Sequence, residues 1–119
     1  MMYISAAKLL KNLPEGVEIS NDEIAFTAEM TLQIMNIAAN NNCIILGGDV
    51  LTLDKKYTYD NWYYQPETSV SLSENVNRSI KKAKEYISDY TKKNGSDFLY
   101  SFVISDSYME VKNMKVAIE

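Results

Sequence analysis

Ser71-Leu72-Ser73-Glu74-Asn75-Val76-Asn77-Arg78-Ser79-Ile80-Lys81-Lys82-Ala83-Lys84-Glu85-Tyr86-Ile87-Ser88-Asp89-Tyr90 is the stretch that decides the fold. Ser71, followed three residues later by Glu74, forms a capping box in which the serine hydroxyl accepts from a first-turn amide. Behind it, Leu72, Val76, Ile80, Ala83, Ile87 and Tyr90 recur at steps of three and four, which puts them on one face of an α-helix. Arg78, Lys81, Lys82, Lys84 and Glu85 fill the other faces, where the lysines read as a solvated surface. Asn94-Gly95 is a C-terminal stop. Burying each large apolar side chain of this stripe is worth about 1.5–3 kcal/mol before chain ordering is subtracted, so the helix needs a sheet to cover.

Strand signals lie on both sides of it. Upstream, Cys43-Ile44-Ile45-Leu46 and Val50-Leu51-Thr52-Leu53 flank Gly47-Gly48-Asp49, and two glycines in such a pattern imply a bulge or a close backbone approach. Asp54-Lys55-Lys56 reads as a hairpin turn, and Tyr57 to Tyr64 as a further strand that ends before Pro66. Three extended pieces in succession suggest a meander. Downstream, Phe98 to Ser105 and Met114 to Ile118 read as strands.

The N-terminal part is more helical. Ser5 caps an expected short helix from Ala6 to Leu13, which Pro14 and Gly16 end. Val17 to Phe26 reads as an acidic loop with an extended piece at Glu23 to Phe26. Thr27 is an N-cap for a helix from Ala28 to Asn40, with Met30, Ile34 and Ile37 on one face and Leu32, Met35 and Ala39 widening it. Asn40-Asn41-Asn42 terminates that helix, since asparagine tolerates the left-handed conformation. The expected fold is α+β: one antiparallel sheet, or a mixed one, from residues 43 to 64 and 98 to 118. It is packed by the long helix and by one or two shorter N-terminal helices. A chain of 119 residues fits one domain over residues 1–119.

Composition narrows the chemistry. With no histidine and only Cys43 as cysteine, neither the usual zinc sets nor a Ser-His-Asp or Cys-His catalytic group can be assembled. No cofactor motif is present: Gly47-Gly48 fits neither a phosphate loop nor a dinucleotide fingerprint. An enzyme is therefore not expected, and no metal or cofactor is assigned. The net charge is −4, against the basic surface that grips nucleic acid. Residues 12 to 70 alone carry −7, whereas residues 71 to 93 carry +3. No apolar run approaches the roughly 20 residues that span a bilayer, and the N-terminus has no secretory-signal pattern, so a cytoplasmic location without membrane contact is expected.

What remains is binding. Tyr57-Thr58-Tyr59-Asp60-Asn61-Trp62-Tyr63-Tyr64 holds four tyrosines and the only tryptophan in eight residues. Alternation sends Tyr57, Tyr59, Asn61 and Tyr63 one way and Thr58, Asp60, Trp62 and Tyr64 the other. One face packs on the core, and the other is an array of rings beside carboxylates, the composition of a protein interface. A bulge at Gly47-Gly48 reads either as purely structural or as aiming Asp49 outward at a partner. The rival from another class is a small-ligand or regulatory module with a tyrosine-lined cleft near Gly47-Gly48.

The order Ile45-Leu46-Gly47-Gly48-Asp49-Val50, then Tyr59-Asp60-Asn61-Trp62-Tyr63, then Ala83-Lys84-Glu85-Tyr86-Ile87 and Tyr100-Ser101-Phe102-Val103-Ile104 resembles the immunity protein 40 family of bacterial polymorphic toxin systems. The likeness covers residues 43 to 104, and the tail 106–119 extends beyond it with an open role. The resemblance implies a cytoplasmic antidote that binds a cognate toxin domain stoichiometrically; from the reading of the aromatic segment and the glycine bulge, Asp49, Asp60, Trp62, Tyr63 and Tyr64 are the expected toxin-binding residues. A nuclease toxin would suit the charge, because its basic substrate cleft would attract an acidic partner.

Overall fold

The computed structural model describes residues 16–20 and 23–105. The helix expected at 6–13 and the strand expected at 114–118 lie outside them. The chain runs β1 (Val17–Ser20), β2 (Glu23–Thr27), α1 (Ala28–Asn40), β3 (Ile44–Thr52), β4 (Tyr57–Tyr63), α2 (Leu72–Asn94) and β5 (Phe98–Ser105). The five strands form one sheet in the order β1-β2-β5-β3-β4, antiparallel at every pairing. The architecture is α+β.

Local signals set both helices. Thr27 caps α1, its side chain accepting from the Met30 amide at 3.2 Å, and the asparagine run ends it with Asn42 at φ 56°. Ser71 caps α2 through the Glu74 amide at 3.0 Å, while the Glu74 carboxylate turns along the helix to Arg78 Nε at 2.9 Å. Gly95 closes α2 at φ 95°. Val76, Ile80, Ala83 and Ile87 are buried as the periodicity predicts. In α1 the buried face is Thr31, Ile34, Met35 and Ala38, so the core stripe is rotated from the expected one and Ile37 is left exposed.

Two expectations about strands change. Val17 to Ser20 is a strand of a hairpin with β2, not a loop, and its alternation of Val17 and Ile19 with Glu18 and Ser20 is the half-buried pattern. The sheet therefore extends to the N-terminal side of α1. The glycines do not divide two strands either: β3 runs unbroken through Gly47-Gly48-Asp49. The meander is thus a two-stranded hairpin, turned at Lys55 with φ 68°.

Gly47 and Gly48 belong inside a strand because of what lies across from them. Gly48 is the register partner of Trp62, and a Cβ there would stand 2.3 Å from Trp62 Cη2 and 2.6 Å from the Ser101 carbonyl oxygen. At Gly47, φ is 155° and a Cβ would stand 2.5 Å from the Trp62 carbonyl oxygen. The first glycine lets the β4 backbone approach, and the second makes room for the indole. β3 also carries one extra residue against β5 between Ile45 and Gly47, a bulge that disturbs the ladder. There the Ile45 amide donates to Ser79 Oγ of α2 at 2.9 Å, which explains a buried serine on the apolar stripe.

The core lies between the helices and one face of the sheet, where Phe26, Val50, Trp62, Tyr100 and Phe102 meet Ile34, Met35, Ile80 and Ile87. Ala25, Leu51 and Leu99 form a smaller cluster with Val17 and Ile19. Since they alternate with Phe26, Val50 and Tyr100, they occupy the opposite face. That helix-free face carries the candidate site.

Candidate functional site

β4 is an edge strand, and it is not regular. Between Asp49 and Leu51 of β3 there is one residue, yet between their partners Asn61 and Tyr57 there are three. The excess is taken up at Tyr59, whose φ of 71° is a left-handed conformation that bulky side chains avoid. Thr58 stitches the bulge down: its hydroxyl donates to the Val50 carbonyl at 2.8 Å and accepts from the Asp60 amide at 3.1 Å. Tyr59 is consequently 88% exposed.

Exposure of large apolar side chains concentrates here. Among the described residues, five are exposed, and four of them, Leu53, Tyr57, Tyr59 and Tyr63, lie on the β3–β4 hairpin. A scatter of single exposed residues would mean little, but a cluster marks an interaction surface. The outer edge of β4 is shielded from further strand pairing, because Lys82 reaches from α2 to donate to the Tyr63 carbonyl and the bulge twists the edge away.

The expected site residues separate into layers. Tyr63 is exposed and Asp49 is half-buried on the helix-free face, and both line the same concave region beside Gly47 and Asn61. Asp60 is exposed on the other side of the strand, where it accepts from Tyr90 Oη of α2 at 2.8 Å. Trp62 and Tyr64 are buried, at 6% and 8% exposure. The Trp62 ring lies against Tyr86, with centroids 5.1 Å apart, and continues through Tyr86 and Tyr90 to Phe98 and Tyr100. The Tyr64 hydroxyl donates to Asn75 Oδ1 at 2.6 Å, and Asn75 also binds the Glu67 amide and carbonyl, both at 2.8 Å. These two rings position β4 and the loop after it.

Tyr57 and Tyr59 complete the exposed layer. Alternation places Tyr57 and Tyr63 on one face, and the packing of Trp62 over Gly48 and against Tyr86 turns that face outward. The bulge at Tyr59 has no such signal.

A polar network crosses the helix-free face. Tyr57 Oη donates to Glu23 Oε1, and Ser101 Oγ donates to Glu23 Oε2 at 2.7 Å. The bond to Glu23, followed by burial, pushes the Tyr57 phenol up to about 12. Asp49 sits in the register row Asn61, Asp49, Ser101. Burial, and then the negative charge of Glu23, raise its pKa above the ordinary carboxylate value. No hydrogen bond or cation answers the Asp49 carboxylate among the described residues. The region beside it is a shallow, open depression of about 380 Å³.

The match of residues 14–104 to the model of a family described as Immunity protein 40 is the deciding observation. The chain belongs to the immunity protein 40 family. This immunity protein 40 match reaches further toward the N-terminus than residue 43, so the β1–β2 hairpin and α1 are part of the common pattern. Within it, the Gly47-Gly48-Asp49 and Asn61-Trp62-Tyr63 segments face each other in register across β3 and β4. No curated protein and no solved structure matches the chain. No helix among the described residues is long and apolar enough to cross a membrane.

Proposed function

We propose that the protein neutralises a cognate toxin domain by direct, stoichiometric binding, using the outer surface of the β3–β4 hairpin. Tyr57, Tyr59 and Tyr63 are the contact rings, Asp49 and Asp60 contribute charge on either side of the strand, and Trp62 and Tyr64 hold the surface in shape from beneath. The observation that carries this reading is Tyr59, a bulky residue held at φ 71° and 88% exposed. Such a conformation costs on the order of 1–3 kcal/mol and persists where surrounding structure over-determines it, often at binding sites. Exposed tyrosines combine large contact area with few rotatable bonds, which suits an interface anchor. The acidic balance of residues 12 to 70 suits a basic partner surface, such as the substrate cleft of a nuclease. Inhibition by occlusion asks for no chemistry from the chain, and the protein acts in the cytoplasm, where a toxin would reach its target.

The test is co-expression with the product of the adjacent reading frame. The expected outcome is rescue of growth and a complex of fixed stoichiometry on gel filtration. Rescue without any complex, at concentrations where both proteins are folded, would replace binding with another mode of protection.

A further inference from the structure

The depression on the helix-free face has a floor that is short of positive charge. Asp49 lies in it beside Gly47, Asn61 and Tyr63, with its side chain only partly open to water. Among the described residues, the groups near it are neutral or negative: Glu23 from β2, Ser101 from β5, Tyr57 and Asn61 from β4, and the Tyr86 phenol from α2. Glu23 is already engaged by Ser101 and Tyr57; Lys82 of α2 is engaged by the Tyr63 carbonyl at the strand edge, and Lys55 and Lys56 lie in the hairpin turn, where Lys56 is 3.9 Å from Asp54. A half-buried carboxylate without a counter-ion is unfavourable unless something supplies one.

We infer that this depression is a receptor for one cationic side chain of the partner, an arginine or lysine that pairs with Asp49 and lies against the Tyr63 ring. The inference rests on the binding role proposed above and names the partner chemistry of that surface. Gly47 has no side chain to fill the depression, and about 380 Å³ accommodates a guanidinium with its stem. The exposed Tyr63 ring at its wall offers a π-face to a cation, which favours arginine over lysine. Asn61 supplies an amide oxygen that accepts from the same group. The carboxylate thus stands uncompensated in the free protein and becomes paired on docking.

Two arms separate this receptor from the wider proposal. In the first, N-acetyl-arginine amide is titrated into the isotope-labelled protein while amide chemical shifts are followed. Saturable shifts centred on Gly47, Asp49, Asn61 and Tyr63 are expected, in a range on the order of millimolar for one contact. The uncharged N-acetyl-citrulline amide should give none, and Asp49→Asn should lose the arginine response. Shifts that are absent, or equal for both probes or both proteins, overturn the receptor.

In the second arm, affinity for the toxin is measured against pH. Docking lowers the Asp49 pKa, which burial and Glu23 raise in the free protein. Affinity is therefore full above the free-protein pKa and falls as pH drops through it. Asp49→Asn should bind roughly tenfold or more weakly at neutral pH and remove that dependence. A wild-type-like affinity for Asp49→Asn, while tyrosine variants lose binding, would leave the toxin-binding role standing and remove the cation receptor. Loss of fold cannot mimic the expected result, because ionised Asp49 is unfavourable in the folded state: its contribution worsens as pH rises through the raised pKa and is relieved below the unfolded value. Asp49→Asn should match or exceed the wild-type melting temperature at pH 7.

Discussion

Trp62→Ala should lower folding stability by about 3–5 kcal/mol, the usual loss for truncating a buried tryptophan. The ring is 6% exposed, stands over Gly48 and packs on Tyr86, so its removal opens a cavity that the strand backbones cannot close. Against a total of about 5–15 kcal/mol for a domain of this size, that is a large share of the stability. Chemical denaturation read by tyrosine fluorescence and circular dichroism measures the loss. Trp62→Phe is the informative companion. The buried indole Nε1 has no hydrogen-bond partner among the described residues, so phenylalanine forfeits packing volume alone and should lose roughly 1–2 kcal/mol. If Trp62→Ala melts like the wild type but binds toxin poorly, the ring belongs to the interface and the layered description is wrong.

Gly48→Ala is expected to be nearly as damaging, although it adds a single methyl group. That carbon would be placed 2.3 Å from Trp62 Cη2 and 2.6 Å from the Ser101 carbonyl oxygen. The indole is pinned by Tyr86, and the carbonyl belongs to the central strand β5, so neither yields cheaply. A loss of about 3 kcal/mol is expected, at the upper end for overpacking. The double variant Gly48→Ala with Trp62→Ala should lose less than the two single variants added together, by about 1–2 kcal/mol, because removing the indole relieves half of the clash. Additive losses would mean that glycine and tryptophan do not share the same space. This coupling also gives a physical reason for the two segments to occur together in the chain: each is the other's packing partner.

How legible these features were depends on whether the cause was local. α2 could be read from Ser71 to Gly95 because capping and periodicity act within a few residues. The buried face of α1 departs from the expected one at Ile37 because tertiary packing selects among several apolar stripes. Gly47-Gly48 resembled a strand break because the residue that requires it, Trp62, lies on the neighbouring strand. β1 is not legible in the sequence, because four residues with two apolar positions are a weak signal until β2 pairs with them. Asn75 and Ser79 are polar residues beside the apolar stripe of α2. They are buried because Tyr64, the Glu67 backbone and the bulged Ile45 amide need partners.

The site was half legible for the same reason. Alternation along Tyr57 to Tyr64 showed that rings lie on both faces, but which face is outward depends on what Gly48 leaves open across the strand. Tyr63 and Asp49 come together beside Gly47, whereas Asp60 lies on the opposite face of the sheet against Tyr90. Tyr59 owes its exposure to a bulge, and a bulge arises from the pairing of two strands.

Removing the two most exposed rings tests the central claim most directly. In Tyr59→Gly/Tyr63→Ala, glycine accepts the left-handed backbone that tyrosine is forced into, so the fold should survive intact. Titration calorimetry with the cognate toxin should then show binding weaker by about 2 kcal/mol or more, roughly thirtyfold, at an unchanged melting temperature. A variant that is equally folded and binds with wild-type affinity would show that the partner docks elsewhere.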